Sequence, residues 1–296
     1  ALENPSIVQK TYVPDDNFEQ ALIDLGYDSV LDDSVLTANI SGVTSLNVDG
    51  KEISNLTGIQ DFTALDSLYC ETNQLTSLDV SNNLVLSQLH AADNQLTSLD
   101  VSNNTALTLL ICFSNSLTAL DVSTNTALTD LACHDNSLTA LDVSSNTALE
   151  YLDCAQNELT TLDVSNNTAL TILRCMRNSL TSLDVSSNTA IWRLEFRSNQ
   201  LTSIDLSNNL TLRYLEGDFN ELTSLDVSSN TLLRYLYLDG NQLTTLDVSS
   251  NTYLWILNCG YNQLTSLDLS NNIALSYLYC SDNLLDSLDL SSNYYL

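Results

Sequence analysis

Basic residues are scarce in this chain. Its 296 residues include 8 Lys and Arg against 37 Asp and Glu, a formal net charge of -29 at pH 7. Because nucleic acids and anionic membranes are bound through positively charged surfaces, this balance argues against both as partners. Long apolar runs are also missing, and none approaches the length of a membrane span. We therefore expect no nucleic-acid partner and no membrane insertion by this segment.

Glycine and histidine are rare, which limits the available chemistry. The chain has 7 Gly and 2 His. No phosphate-cradling glycine loop, G-x-S-x-G motif or H-E-x-x-H motif is present. The two histidines, His90 and His134, fall at different positions of the repeat described next, so a shared metal ion or a catalytic pair is not expected. We predict that the protein is not an enzyme and has no cofactor and no metal site.

What the chain has instead is a 21-residue repeat, L-x-x-L-x-C-x-x-N-x-L-T-S-L-D-V-S-x-N-T-A. Leu-Asp-Val or a close variant returns eleven times from Leu78 to Leu288 without a slip in spacing. Leu173 and Cys175 alternate with outward residues, and so do Leu162 and Val164, which is the two-residue period of a β-strand. Each unit is therefore predicted to hold two short strands joined by turns, and stacked units would bury their apolar rows in a solenoid.

The first half of the unit, L-x-x-L-x-C-x-x-N-x-L, resembles the strand segment of leucine-rich repeat proteins. The second half looks like a shortened echo of the first. This nested form resembles a bacterial class of leucine-rich repeat found in secreted and surface proteins. The resemblance implies an all-β leucine-rich repeat solenoid, located outside the cell or on its surface. With a strand rather than a helix on the back of each unit, we predict slight curvature.

Three segments are predicted along the chain. Residues 1–42 form an N-terminal segment with a helical cap. Residues 43–64 resemble one 22-residue repeat of the internalin type, and residues 65–296 hold eleven 21-residue repeats. The sequence stops partway through a unit, from which we expect a longer natural protein truncated at the C-terminal side.

An amphipathic helix is predicted ahead of the repeats. Apolar residues recur at i, i+3, i+4 and i+7 from Phe18 to Leu25. Asp15 or Asp16 can cap the start of this helix, and Gly26 suits its end. A solenoid needs its first rung covered, so we expect this helix to act as the N-terminal cap.

Two asparagine columns return with the repeat, from Asn73 to Asn283 and from Asn83 to Asn293, both in steps of 21. Tight turns leave inward-pointing backbone groups without ladder partners. An Asn amide offers both a donor and an acceptor to such groups. We predict a structural role for both columns.

All cysteines share one position of the repeat. They are Cys70, Cys112, Cys133, Cys154, Cys175, Cys259 and Cys280. Other rungs place Ala91, Phe196, Gly217 or Leu238 there, which indicates a core position. No C-x-x-C metal spacing occurs. We predict seven reduced, buried thiols that pack as small apolar groups.

The aspartates of Leu-Asp-Val form an outward column. Neighbouring carboxylates about 5 Å apart repel by about 1 kcal/mol per pair even in water. We predict that this repulsion raises some of their pKa values and is partly offset by donors such as Ser165. A hydroxyl-bonded ladder is favoured over specific Ca²⁺ sites, because no D-x-[DN]-x-[DN]-G loop is present.

The positions between the fixed Leu and Asn vary from rung to rung, and all six arginines lie there. In leucine-rich repeat proteins the matching face is the concave binding surface. Arginine and aromatic residues are enriched at interface hot spots. The predicted ligand-binding residues are Arg174, Arg177, Trp192, Arg193, Arg197, Arg213, Tyr214, Arg234, Tyr235, Tyr237 and Trp255. The opposing interpretation is internal neutralisation, with Arg174 paired to Asp153 and Glu195, and Arg197 to Asp218.

We therefore predict a non-enzymatic recognition module of a secreted or cell-surface bacterial protein. It would bind a protein partner through the variable face, in adhesion or another protein–protein interaction. Two alternatives stay open. Trp and Tyr faces stack on sugar rings and Arg suits sulfate or carboxylate, so a module for anionic carbohydrate is one. A structural spacer is the other.

Overall fold

The computed structural model describes residues 8–296, so the first seven residues of the predicted N-terminal segment lie outside the described part. The chain divides into two compact units. Unit 1 runs to Leu128 and includes Asp135–Ser137, whereas unit 2 comprises Thr129–His134 and Leu138–Leu296. Within residues 8–296, no helix has the length and apolar character needed to cross a bilayer.

Unit 1 begins with a small α/β segment. Strand β1 (Lys10–Tyr12) pairs antiparallel with β2 (Ser34–Leu36). Helix α1 (Asp16–Asp24) lies between them in sequence, and α2 (Thr37–Ile40) follows β2. The sequence pattern predicts α1 but not the other three elements, since a run of three or four residues is too short to show a period.

Helix α1 begins and ends as its sequence predicts. The Asp15 carboxylate accepts hydrogen bonds from the backbone N–H groups of Asn17 and Phe18, both at 3.0 Å, and Gly26 follows the helix with a φ of 81°. Phe18 is fully buried, but Leu25 is 46% exposed. The placement of Leu25 on the apolar face is therefore wrong, because the helix ends one residue before it.

The same helix is attached to the first repeat. The second oxygen of Asp15 accepts from the backbone N–H of Ser54 at 2.9 Å and from its hydroxyl at 2.7 Å. The rings of Phe18 and Phe62 lie 6.4 Å apart, centroid to centroid. These contacts are those expected of a cap over residues 43–64.

Each rung contributes one three-residue strand, and the strands are parallel within each unit. In unit 1 they are β3 (Ser45–Asn47), β4 (Ser67–Tyr69), β5 (Gln88–His90) and β6 (Leu109–Ile111), with a 3₁₀ turn at Ile59–Asp61. In unit 2 they are β7 (Asp130–Ala132), β8 (Tyr151–Asp153), β9 (Ile172–Arg174), β10 (Arg193–Glu195), β11 (Tyr214–Glu216), β12 (Tyr235–Tyr237), β13 (Ile256–Asn258) and β14 (Tyr277–Tyr279). Equivalent residues pair, as Leu194 does with Leu215. The predicted leucine-rich repeat solenoid is confirmed.

The prediction of two strands per rung is wrong. Among the described residues, the Leu-Asp-Val segments show one isolated bridge and no strand. The reason is local hydrogen bonding. The N–H of Ser165 donates to the Asp163 carboxylate at 2.9 Å, and that of Asn167 donates to the Val164 carbonyl at 2.9 Å. Because these N–H groups donate to side chains and turn carbonyls of their own rung, few remain to form a second strand with the neighbouring rungs.

The first asparagine column satisfies backbone groups as predicted. The amide N–H₂ of Asn199 donates to the carbonyls of Cys175 at 3.0 Å and Phe196 at 2.9 Å. Its amide oxygen accepts the backbone N–H of Leu180 at 2.9 Å. Donor and acceptor are both used, and they join one rung to the rung before it.

The second column uses only the donor. The amide N–H₂ of Asn188 donates to the carbonyls of Val164 at 2.9 Å and Asn167 at 2.8 Å. The amide oxygen of Asn188 is buried and accepts no hydrogen bond from residues 8–296. The structural role is confirmed for both columns, but the two differ in which bonds they supply.

The cysteine column lies in the core, and no disulfide joins its members among the described residues. Burial raises the pKa of the Cys112 thiol to about 12. Six members are buried, but Cys280 is partly exposed. The prediction of seven buried thiols is therefore wrong for Cys280.

We expect a thiol-reactive chromophore to label one group in the native chain and seven after denaturation, because a buried, protonated thiol does not react. The substitution Cys280→Ser should remove the native signal, and Cys112→Ser should leave it. Rapid native labelling of several thiols, or fewer than seven groups in denaturant, would contradict the core position.

The aspartate column has its pKa values shifted in the direction opposite to the prediction. The pKa of Asp163 is lowered because the hydroxyl and N–H of Ser165 donate to it, and these bonds outweigh repulsion from Asp142 and Asp184. The pKa values of Asp100, Asp142, Asp184 and Asp226 are lowered in the same way. The column is therefore ionised at neutral pH and held by donors from its own rungs.

Candidate recognition surface

The variable positions of unit 2 lie on the outer face of its parallel strands. From β7 to β13 the middle residue, such as Leu194 or Leu215, is fully buried, while its two neighbours point away from the core. In β14 the middle residue, Leu278, is partly exposed. The strands pair in register, so Arg193 lies beside Tyr214 and Tyr214 beside Tyr235. Neighbouring positions are thus about 4.8 Å apart along the face.

One row of this face places two arginines between two tryptophans. Trp192, Arg213, Arg234 and Trp255 directly precede β10 to β13, and each row member is bonded to the next. The Arg213 N–H donates to the Trp192 carbonyl at 2.8 Å, the Arg234 N–H to Arg213 at 2.9 Å and the Trp255 N–H to Arg234 at 2.8 Å. All four side chains are exposed. We call these four residues the tryptophan–arginine row.

Aromatic rings lie beside the row in mutual contact. Tyr214 contacts Tyr235 and Tyr237, with centroid distances of 5.6 and 5.5 Å. Trp255 packs edge-on against Tyr235 at 5.6 Å and against Tyr277 at 5.5 Å. We call the four tyrosines the tyrosine cluster. Three of them are half-buried and Tyr277 is 48% exposed, so the rings are fixed by one another yet open to a partner.

Two predicted arginines are neutralised within the chain. Arg174 pairs with Asp153 at 2.9 Å and with Glu195 at 2.8 Å, as the opposing interpretation predicts. Arg193 also pairs with Glu195 and lies over the Tyr214 ring, 4.4 Å from its centroid. Both carboxylates are 1% exposed. Because removal of a cation would leave a buried charge unpaired, these arginines have a structural role.

Arg197 has a different partner from the one predicted. It lies 3.8 Å from Glu216 and stacks over Phe219, 5.1 Å from the ring centroid. Asp218 is only 6% exposed and accepts the Asp239 N–H at 2.7 Å. Burial raises the pKa of Asp218 to about 7, with the negative charge of Glu216 acting in the same direction. Among residues 8–296, Arg197 thus forms no close ion pair with Asp218, but its positive charge still acts on that carboxyl and opposes the rise of its pKa.

The remaining arginines are uncommitted. Within residues 8–296, no carboxylate lies within ion-pair distance of Arg177, Arg213 or Arg234. Arg177 sits in the turn after β9 with a φ of 52°, apart from the row. The structure thus sorts the predicted residues into five groups. They are the row, three members of the tyrosine cluster, two arginines paired with buried carboxylates, Arg197 beside Glu216 and Phe219, and the isolated Arg177.

The predicted ligand-binding residues leave out part of this surface. Tyr277 belongs to the tyrosine cluster. Four apolar side chains on the turns that lead to the row are 38–58% exposed, namely Leu210, Leu232, Tyr253 and Ile273. The available signal was a departure from the Thr-Ala pair that most earlier rungs carry at these positions.

Comparison with known proteins shows which family has this architecture. No protein-family model matches the chain. The solved functional domain of InlJ from Listeria monocytogenes is 35% identical, with 99% of this chain and 76% of that one covered at a TM-score of 0.75. The chain belongs to the internalin family of bacterial leucine-rich repeat proteins. The InlJ domain includes a cysteine ladder, and the stacked cysteines of this internalin-family chain are similar to it.

Two further comparisons agree with this assignment, one with another internalin and one with an internalin J sequence. The internalin inlF from Listeria monocytogenes is 25% identical, covers 92% of this chain and 83% of its own, and superposes at a TM-score of 0.85. Internalin J from a strain of the same species is 39% identical over 72 residues. That match spans 24% of this chain and 8% of the length of internalin J.

Proposed function

We propose that this internalin-family chain is the recognition module of a secreted or surface-exposed bacterial protein. It binds a protein partner, in adhesion or another protein–protein interaction, through the strand face of unit 2. The observation that carries the proposal is the contiguous tyrosine cluster beside a row in which two arginines have no carboxylate partner among residues 8–296. Fixed aromatic rings and arginine contribute strongly to interface energies.

The fold does not require these residues. Earlier rungs place Ser87 and Thr108 at the row position and form the same backbone bond, 2.8 Å from the Thr108 N–H to the Ser87 carbonyl. The large side chains of the row therefore add nothing to the ladder. Exposed Trp and unpaired Arg at such positions support a role in binding.

The test replaces the row by residues that the chain itself uses there: Trp192→Thr, Arg213→Ser, Arg234→Thr and Trp255→Ser. The melting temperature should change little, because exposed side chains contribute little stability. Wild-type chain should enrich members of a displayed library of extracellular protein domains, and the row variant should lose that enrichment.

The matched control changes the opposite side, with Ser182→Ala, Ser203→Ala and Ser224→Ala, since other rungs carry Ala119 and Ala140 at that position. This control should retain the enriched domains. Equal enrichment by wild type and row variant would refute the proposed face. Retention of anionic glycans on an array, with no protein domain enriched, would favour the carbohydrate alternative.

A further inference from the structure

The two row arginines are side by side in a strongly acidic chain. Arg213 and Arg234 are hydrogen-bonded neighbours, so their Cα atoms are about 4.8 Å apart. Elsewhere on the face the chain places buried carboxylates against Arg174 and Arg193. No described carboxylate neutralises the row pair. A partner with carboxylate groups would therefore supply the negative charge that pairs with Arg213 and Arg234.

An apolar edge borders the row on one side. It consists of Leu210, Leu232, Tyr253 and Ile273, which are 57%, 38%, 58% and 58% exposed. Leu232 and Arg234 are separated by one buried residue, so both side chains point outward with Cα atoms at most about 7 Å apart. The edge and the row thus form one continuous surface.

The turns do not require this apolar edge. The N–H of Leu212 donates to the Asn209 carbonyl at 3.1 Å, and the equivalent bond from Leu170 to Asn167, in a rung with Thr-Ala, is also 3.1 Å. Leu, Tyr and Ile therefore replace smaller residues without any change in the turn. Exposed apolar area of this kind, beside cations, is typical of a protein-binding surface.

We propose that the row binds an extended acidic segment of the partner protein. Two of its carboxylates pair with Arg213 and Arg234, and flanking apolar side chains pack on Trp192, Trp255 and the apolar edge. This inference rests on the proposed function and specifies the chemistry of its ligand. A guanidinium offers a rigid fork to each carboxylate.

The dimensions of the row fit such a segment. Trp192 and Trp255 are three rungs apart, which is about 14 Å. An extended chain covers that distance in about four to five residues. Alternate residues of an extended segment point to the same side and are about 6.7 Å apart, so acidic residues at i and i+2 can reach the two arginines. At the row itself, the guanidinium groups of Arg213 and Arg234 would repel a cationic segment, although the chain as a whole carries a net charge of -29.

The test uses labelled synthetic peptides and fluorescence anisotropy. The probe has the sequence Gly-Leu-Glu-Ser-Glu-Leu-Gly, and its controls replace both Glu by Gln, both Glu by Lys, or both Leu by Ser. We expect the Glu peptide to bind at least about tenfold more tightly than the Gln peptide, the loss expected for charge-assisted pairs. The Lys peptide should not bind, and the Leu→Ser peptide should bind more weakly.

Variants locate the contact. Arg213→Ser with Arg234→Thr should weaken the Glu peptide about tenfold and leave the Gln peptide unchanged. Leu232→Ala with Tyr253→Thr should weaken both peptides equally. Each variant should keep the wild-type melting temperature, since these residues are exposed.

The outcomes separate this inference from the proposed function. Equal binding of Glu and Gln peptides, or full binding by the double arginine variant, overturns the acidic-segment inference. If protein domains still depend on the row while the Glu peptide does not bind, the function stands and the inference fails. If sulfated glycans bind through the row more tightly than the Glu peptide, the inference also fails. If neither domains nor peptides depend on the row, both fail.

Discussion

Replacement of Asp218 by Asn is expected to stabilise the chain at pH 8 and to leave its stability nearly unchanged at pH 4. Burial raises the pKa of Asp218 to about 7. A carboxyl whose pKa is raised by folding contributes full stability below its unfolded pKa, and that contribution is lost as pH rises through the folded value. The effect at pH 8 should be on the order of 2–4 kcal/mol, and Asn can still accept the Asp239 N–H.

Denaturant unfolding of wild type and Asp218→Asn across pH 4–8 checks this. The stability difference between the two should grow from about pH 4, near the ordinary carboxyl pKa, and level off near pH 7. Asp226→Asn is the matched control, because the hydroxyl and N–H of Ser228 lower the pKa of this exposed carboxylate. Its contribution is present above the unfolded pKa and lost on acidification, so this variant should lose stability at pH 8. A less stable Asp218→Asn protein at pH 8 would refute the burial argument.

The two asparagine columns should respond differently to truncation. Asn199→Ala leaves the backbone N–H of Leu180 without the acceptor that now lies 2.9 Å away. An orphaned buried donor costs about 1–3 kcal/mol, and the cavity adds to this. We expect a total loss of about 3 kcal/mol for Asn199→Ala.

Asn188→Ala should cost less, about 1–2 kcal/mol. The carbonyl of Val164 that it leaves still accepts the backbone N–H of Asn167 at 2.9 Å, and the carbonyl of Asn167 still accepts that of Leu170 at 3.1 Å. Both carbonyls therefore keep a hydrogen-bond donor after the substitution. Chemical denaturation of the two single variants gives the ranking, and a larger loss for Asn188→Ala would contradict it.

The fixed positions of the repeat can be predicted from the sequence because comparison of the eleven rungs shows which positions keep the same type of residue. Leu173 and Cys175 face inward, as their column composition predicts, and Asn199 makes the donor and acceptor bonds that its amide predicts. The second strand could not be read correctly. An alternation such as Leu162 and Val164 is common to a strand and to an extended segment that ends in a local turn, and only hydrogen bonds separate them.

The surface was harder to predict, because pairings depend on the reach of side chains across rungs. Arg193 meets Glu195, two residues along the same strand, and Arg197 meets Glu216 instead of the predicted Asp218. Leu232 was omitted since a single exposed leucine carries no signal by itself. The signal lies in its comparison with Thr-Ala at the same position of other rungs.

The bonds of Asn188 reach residues 21 and 24 positions earlier, and Asn209 repeats this pattern one rung later. These asparagine bonds therefore join each of these two rungs to the rung immediately before it. Recombination that gains or loses whole multiples of 21 codons would preserve each of these contacts. Whole rungs can thus be added to or removed from the strand face while the core residues stay the same. Selection for binding then acts on the outward-facing residues.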